Sequence, residues 1–225
     1  MKVLSGRTNK VVATITGKGL YAQLLAVNPV TNTVYATNNL GAAFDAVSVI
    51  NGSTNKVVAT VPEPLLPEGI AVNPRTNRIY VTCGSNPSGA IMSVVSGSTR
   101  KIIKTIPVPQ FPGAVAVNPQ TNTVYALTND GDTVTMINGS TNKVVTTFED
   151  NGGSLGIAAN PRTALVYTAQ FDADNVAAYI AKTGQPLTNF YVGNAPLGIA
   201  VNPATNTTYV TIQDDATVEV LVPSS

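Results

Sequence analysis

An Asn-Pro pair recurs at Asn28-Pro29, Asn73-Pro74, Asn118-Pro119, Asn160-Pro161 and Asn202-Pro203, at intervals of 45, 45, 42 and 42 residues. A period of that length constrains the chain more than any composition does. Filled with short β-type runs, it matches one propeller blade, a small antiparallel sheet of four short strands. Between the pairs lie runs of β-branched residues bounded by turn formers, and no 3.6-residue apolar period competes with them.

Each unit reads as four strands, A to D. Strand A is the Gly-Ile-Ala-Val type, as in Gly69-Ile70-Ala71-Val72 and Gly198-Ile199-Ala200-Val201. The Asn-Pro-x-Thr-Asn segment follows as a tight turn, because Pro presets φ near −65° and Asn bonds its own backbone. Strand B carries Tyr35, Tyr80, Tyr125, Tyr167 and Tyr209, and strand C is an alternation such as Val134-Thr135-Met136-Ile137. A second turn, Asn51-Gly52-Ser53-Thr54-Asn55, places Gly and Asn where φ is expected to turn positive. Strand D is then Lys56-Val57-Val58-Ala59-Thr60-Val61.

The ends are out of phase with the period. Asn9-Lys10-Val11-Val12-Ala13-Thr14-Ile15 reads as a lone D strand, and Thr217-Val218-Glu219-Val220-Leu221-Val222 as a C strand without its D. The expectation is therefore a single all-β domain over residues 1–225, a five-bladed β-propeller of four-stranded blades beginning near residues 20, 65, 110, 152 and 194. Residues 9–16 would pair in the last blade and close the ring, since closure removes bare sheet edges. A monomer is expected. Strand A lines the axis of such a disc, so the series Ala26, Ala71, Ala116, Ala158 and Ala200 reads as steric, and the tyrosines as wedges between blades.

In this arrangement the B–C and D–A connections share one face, called upper, and the A–B and C–D turns the other. Asn-Pro to the matching strand-C residue spans 19, 19, 16, 16 and 16 residues, so all the length variation falls in the upper B–C loops. Acids follow it: Asp45, Asp130, Asp132, Asp172, Asp174, Asp214 and Asp215 are in B–C loops, and Glu63, Glu68, Glu149 and Asp150 in D–A loops. Most bases, among them Lys56, Arg75, Arg78, Arg100 and Lys143, belong to lower turns. Loops freed from scaffold geometry are where recognition is usually placed. The expected ligand-binding residues are thus Tyr21, Phe44, Asp45, Phe111, Asp130, Phe171, Asp172 and Asp214, with aromatic platforms beside carboxylates for a small molecule, a glycan or a protein surface. Asp132, Asp174 and Asp215 offer hard oxygen ligands for Ca²⁺ or another divalent cation, although Asp is equally an ordinary turn residue in such loops. No organic cofactor is indicated.

The absences are informative. There is no His, hence no histidine metal site and no Ser-His-Asp or Cys-His relay. Trp is absent too, and the lone Cys83 reads as a small apolar filler and permits no intrachain disulfide. A net charge of +1 gives no reason to expect nucleic acid as partner, no apolar run reaches membrane-spanning length, and Met1 to Gly6 has no apolar signal core.

Ala71-Val72-Asn73-Pro74-Arg75-Thr76-Asn77, the Tyr80-Val81-Thr82 and Tyr209-Val210-Thr211 stretches, and Asn-Gly-Ser-Thr-Asn-Lys-Val-Val at 51–58 and 138–145 together resemble the YVTN-type β-propeller repeat family. The resemblance covers essentially the whole chain. It implies the propeller fold and a periplasmic, cell-surface or secreted setting, and little about activity. The related streptogramin lyases use histidine, which this chain lacks. The sequence therefore favours a non-catalytic binding propeller that meets its ligand on the acidic upper loops. The alternatives are a carboxylate-dependent lyase or hydrolase, and a structural repeat scaffold with no dedicated ligand.

Overall fold

The structure is a computed structural model that describes residues 1–17, 19–39, 45–84, 89–128 and 133–222. Among these there is no helix. The first two strands, β1 (Lys2–Leu4) and β2 (Val11–Thr14), form a hairpin by themselves. Blade one is β3 (Ala22–Asn28), β4 (Thr33–Asn38), β5 (Ala46–Asn51) and β6 (Lys56–Pro62). Blade two is β7 (Pro67–Asn73), β8 (Arg78–Cys83), β9 (Ile91–Ser96) and β10 (Lys101–Pro107). Blade three is β11 (Pro112–Asn118), β12 (Thr123–Thr128), β13 (Thr133–Asn138) and β14 (Lys143–Glu149). Blade four is β15 (Ser154–Asn160), β16 (Leu165–Gln170), β17 (Asn175–Ile180) and β18 (Pro186–Tyr191). Blade five is β19 (Pro196–Asn202), β20 (Thr207–Ile212) and β21 (Thr217–Leu221). All pairs are antiparallel, and the five sheets stand about one axis as in a five-bladed β-propeller.

The turns follow the local chemistry with one correction. Asn28, Asn73, Asn118 and Asn160 each accept the N–H groups two and three residues on, which fixes the bend before strand B. Asn32, Asn77, Asn122 and Asn206 then take positive φ, as do Asn55 and Asn142 in the lower C–D turns. Gly52 does not need a positive φ. It is required by space: a Cβ there would lie 2.3 Å from Asn32 Oδ1, and one on Gly139 would lie 2.5 Å from Asn122 Oδ1.

The core lies between blades. Tyr35, Val47, Val49 and Val61 of blade one pack on Ile70, Ile79, Val81 and Val95 of blade two, and the same pattern repeats to blade five. Asn28 Nδ2 donates to Asn77 Oδ1 at 2.9 Å and Asn73 Nδ2 to Asn122 Oδ1 at 2.7 Å, with a like bond from Asn160 to Asn206. Tyr35, Tyr80 and Tyr125 are buried wedges between blades as expected, and Tyr125 donates its hydroxyl to Ala181 O of the next blade at 2.7 Å, whereas Tyr209 is 41% exposed.

The expected latch is not formed. Among the described residues β2 pairs with β1, no strand pairs with the outer edge of β21, and blade five has three strands. The reason is a strand that the repeat reading overlooked. Ser5-Gly6-Arg7-Thr8-Asn9-Lys10 aligns with Asn51-Gly52-Ser53-Thr54-Asn55-Lys56, so β1 is itself the end of a C strand and already occupies the edge of β2 that β21 would need. The hairpin lies on blade one, where Met1, Val3 and Ile15 cover Ala36 and Ile50. Innermost strands meet in chain order, β3 with β7, β7 with β11, β11 with β15 and β15 with β19, but β19 and β3 share no comparable contact. The ring has a seam there.

Candidate functional site

The polar chemistry of the described residues gathers where a D–A link meets the next blade's B–C loop. The links place Glu63, Val108, Asp150 and Val192 at equivalent positions, one step inward of each D strand. An apolar residue there is the blade's ordinary filler, so the two carboxylates are departures from the repeat.

Glu63 is 6% exposed and accepts the Cys83 thiol at 3.7 Å, while its Oε1 has no partner. Burial pushes its carboxyl up to about 7, against weaker opposing hydrogen bonds from Ser93 and Cys83. Burial first, and then the Glu63 charge, push the Cys83 thiol far above its usual range, which fits its reading as a small buried filler.

Asp150 is built in differently. It is 2% exposed, and its Oδ1 accepts Tyr179 Oη–H at 2.6 Å, Thr168 Oγ1–H at 2.7 Å and Gln170 Nε2–H at 3.3 Å. Its Oδ2 has no partner. Burial, followed by the hydrogen bond and charge of Asp150, raises the Tyr179 phenol, which remains the proton donor of the pair. Tyr179 also leans on Phe148, with ring centroids 5.0 Å apart. These residues, with Glu149, Asn175 and Asn189, line a groove of about 370 Å³ between blades three and four. No Lys or Arg lines it. Two carboxylates, two aromatic rings and several amides around one concavity suit a small cationic, hydrogen-bonding molecule. A wider groove of about 550 Å³, between blades four and five, is lined by Leu165, Tyr167, Phe190 and Val220 and carries no ionisable group except phenol.

The residues expected from the sequence are dispersed. Asp45 is buried, 6% exposed, with Oδ1 unpartnered, so it does not stand on an open rim. Tyr21 is 62% exposed and its backbone N–H is held by Asn38 Oδ1. Phe111 is half-buried at a positive φ of 54°. Phe171 and Asp172 lie in the B–C loop that also supplies Ala173 to the groove. Asp214 is exposed, its backbone N–H bonded to Asn194 O. Asp174 Oδ1 accepts Ala195 N–H at 2.9 Å, and Asp215 accepts the backbone and side-chain N–H groups of Asn194, both at 3.0 Å. These two carboxylates tie B–C loops to D–A links, and among the described residues no three acids, Cys or His converge as a metal site. Phe44, Asp130 and Asp132 lie outside the described residues.

Sequence reasoning counted Asp150 among the upper acids without singling it out, and passed over Gln170 and Tyr179. A signal was there: Tyr179 stands where the other blades carry Ile50, Val95 and Ile137.

No protein-family profile matches the chain, and no curated protein matches it in sequence. Solved structures do. A functionally unknown protein from Desulfotomaculum acetoxidans DSM 771 superposes with a TM-score of 0.81 at 18% identity, over 97% of this chain and 74% of that one. A chain of the mitotic checkpoint complex gives 0.83 at 12% identity, over 100% and 68%. Hydrazine synthase of Kuenenia stuttgartiensis gives 0.64 at 14% identity, over 98% and 88%. At such identities the likeness is one of fold. The chain is a five-bladed β-propeller. The neighbours in this fold are of unknown or varied function, so the fold alone assigns this chain none.

Proposed function

We propose that this propeller is a non-catalytic binding module whose ligand contact lies on the upper side, centred on the groove between blades three and four. The single observation that carries the reading is Asp150, a carboxylate withdrawn from solvent and held by three donors in a groove with Glu149 at its edge and no basic residue in its lining. Such an arrangement favours a small organic cation bearing hydrogen-bond donors, with Phe148 and Tyr179 as its aromatic wall. The resemblance to YVTN-type propellers supports a cell-envelope or extracellular setting as part of the same proposal.

Calorimetric titration with putrescine, choline and arginine, against glucose as an uncharged control, tests it. Saturable binding of at least one cation is expected. Glu149→Gln, an exposed change that leaves the core intact, is expected to weaken it about two- to fivefold, and Asp150→Asn to abolish it. If millimolar concentrations of all three cations give no heat while the protein is folded, the groove is structural and the reading fails.

A further inference from the structure

The seam leaves the blade-five face bare and the blade-one face covered only where the β1–β2 hairpin lies, and the molecule already shows what covers each. On blade five, Tyr209, Val218 and Val220 are 41%, 56% and 49% exposed. Their counterparts on blade one, Tyr35, Val47 and Val49, are at most 1% exposed beneath blade two. On blade one, Leu25 and Val27 of β3 are 51% and 54% exposed, whereas Ile70, at the Leu25 position of blade two, is 9% exposed beneath blade one. Polar groups at the seam are left open in the same sense. Asn28, Asn73 and Asn160 donate to an Asn of the next blade, but Asn202 donates to nothing among the described residues. Its natural acceptor is the Asn32 position of a first blade. Tyr35 and Tyr80 hydroxyls rest against Gly97 and Gly139 of the following blade, and Gly52 waits in the matching place on blade one. Gly198 fits this too: a Cβ on Gly156 would meet the next blade's backbone at 2.5 Å, while one on Gly198 would meet only Thr211 of its own blade.

We propose that copies of this chain associate head to tail, blade five of one seating on blade one of the next. The contact continues the interface that recurs four times within the chain, with Tyr209 at Gly52, Asn202 bonded to Asn32, and Leu25 and Val27 covered. It is heterologous, one kind of face meeting another, so it propagates to a ring or a filament. The third-strand place in the sheet that seats against blade one is contested. β1 holds it through a three-residue pairing with a register shift, whereas β21 is fixed to β20 by five pairs. In the assembly β21 takes the place and β2 of the neighbouring copy pairs along its free edge. That exchange makes association dependent on concentration.

Sedimentation velocity of the full chain from low to high micromolar concentration is expected to show growth beyond the monomer. Val218→Lys with Val220→Lys, and separately Leu25→Lys with Val27→Lys, alter only exposed side chains, and circular dichroism confirms that each variant keeps its sheet. Each alone is expected to weaken association at least about tenfold. Mixed in equal amounts, the two variants are expected to form dimers and nothing larger, since one retains its blade-five face and the other its blade-one face. A monomer at every concentration, as closure within one chain would give, overturns the proposal. So does association that mixing the variants fails to restore, as like-on-like contact would give.

Discussion

In an Ala181→Gly background, which restores the room that Gly52, Gly97 and Gly139 leave for the turn Asn of their own blades, Ala164→Asn is expected to stabilise the protein, an uncommon direction for a substitution. In the inter-blade ladder Asn28, Asn73 and Asn160 find Asn77, Asn122 and Asn206 on the next blade. Asn118 should find the residue at 164, but Ala stands there, and Asn118 Nδ2 is buried without a partner. An orphaned buried donor costs about 1–3 kcal/mol. Ala164 also sits at a φ of 54°, in the left-handed region that Asn tolerates better than Ala. Supplying the acceptor recovers part of the first cost and relieves part of the second, for a net gain of about 1–2 kcal/mol. For a chain of this size each kcal/mol moves the melting temperature by about 2–4 °C. Differential scanning calorimetry of Ala164→Asn and Ala164→Gly, both in that background, separates the contributions, because Gly relieves the backbone and offers no acceptor. The reasoning is refuted if Asn melts no higher than Gly, since the hydrogen bond would then contribute nothing.

Glu63 governs a pH dependence. Its carboxyl is raised in the folded state to about 7 from 4.5, so the folded protein binds the extra proton between those values and its stability falls as pH rises through that window. Glu63→Val, the residue found at 108 and 192, is expected to remove this slope and to add up to about 3 kcal/mol at pH 8; urea melts at pH 5 and pH 8 read both. Tyr125→Phe leaves Ala181 O without its donor and is expected to cost about 1 kcal/mol, checked by the midpoint of the same melts.

Much of this fold was legible before any coordinates, because a repeat states its own rules several times. The turn asparagines could be read from one blade to the next, and so could the wedge tyrosines and the inward apolar alternation. The candidate site was legible only in part. Asp150 looked like one more loop acid, since sequence does not reveal that Thr168, Gln170 and Tyr179 converge on one of its oxygens. Asp174 and Asp215 looked like ligands for a cation and instead hold the backbone of the next link. The N-terminal latch misled for a specific reason. β1 is only Lys2–Leu4, too short for its alternation to register as a strand, yet those residues decide which edge of β2 is free.

The sequence by itself determined the blade: strand lengths, turn chemistry and the face each side chain takes are local matters, set by a period of two along strands and by Asn, Gly and Pro at bends. Whether the array shuts, which carboxylates lose their water and which apolar faces stay bare were decided by tertiary structure alone. Those outcomes depend on how five sheets, each satisfied locally, compete for edges and neighbours at long range, and no single repeat carries that information.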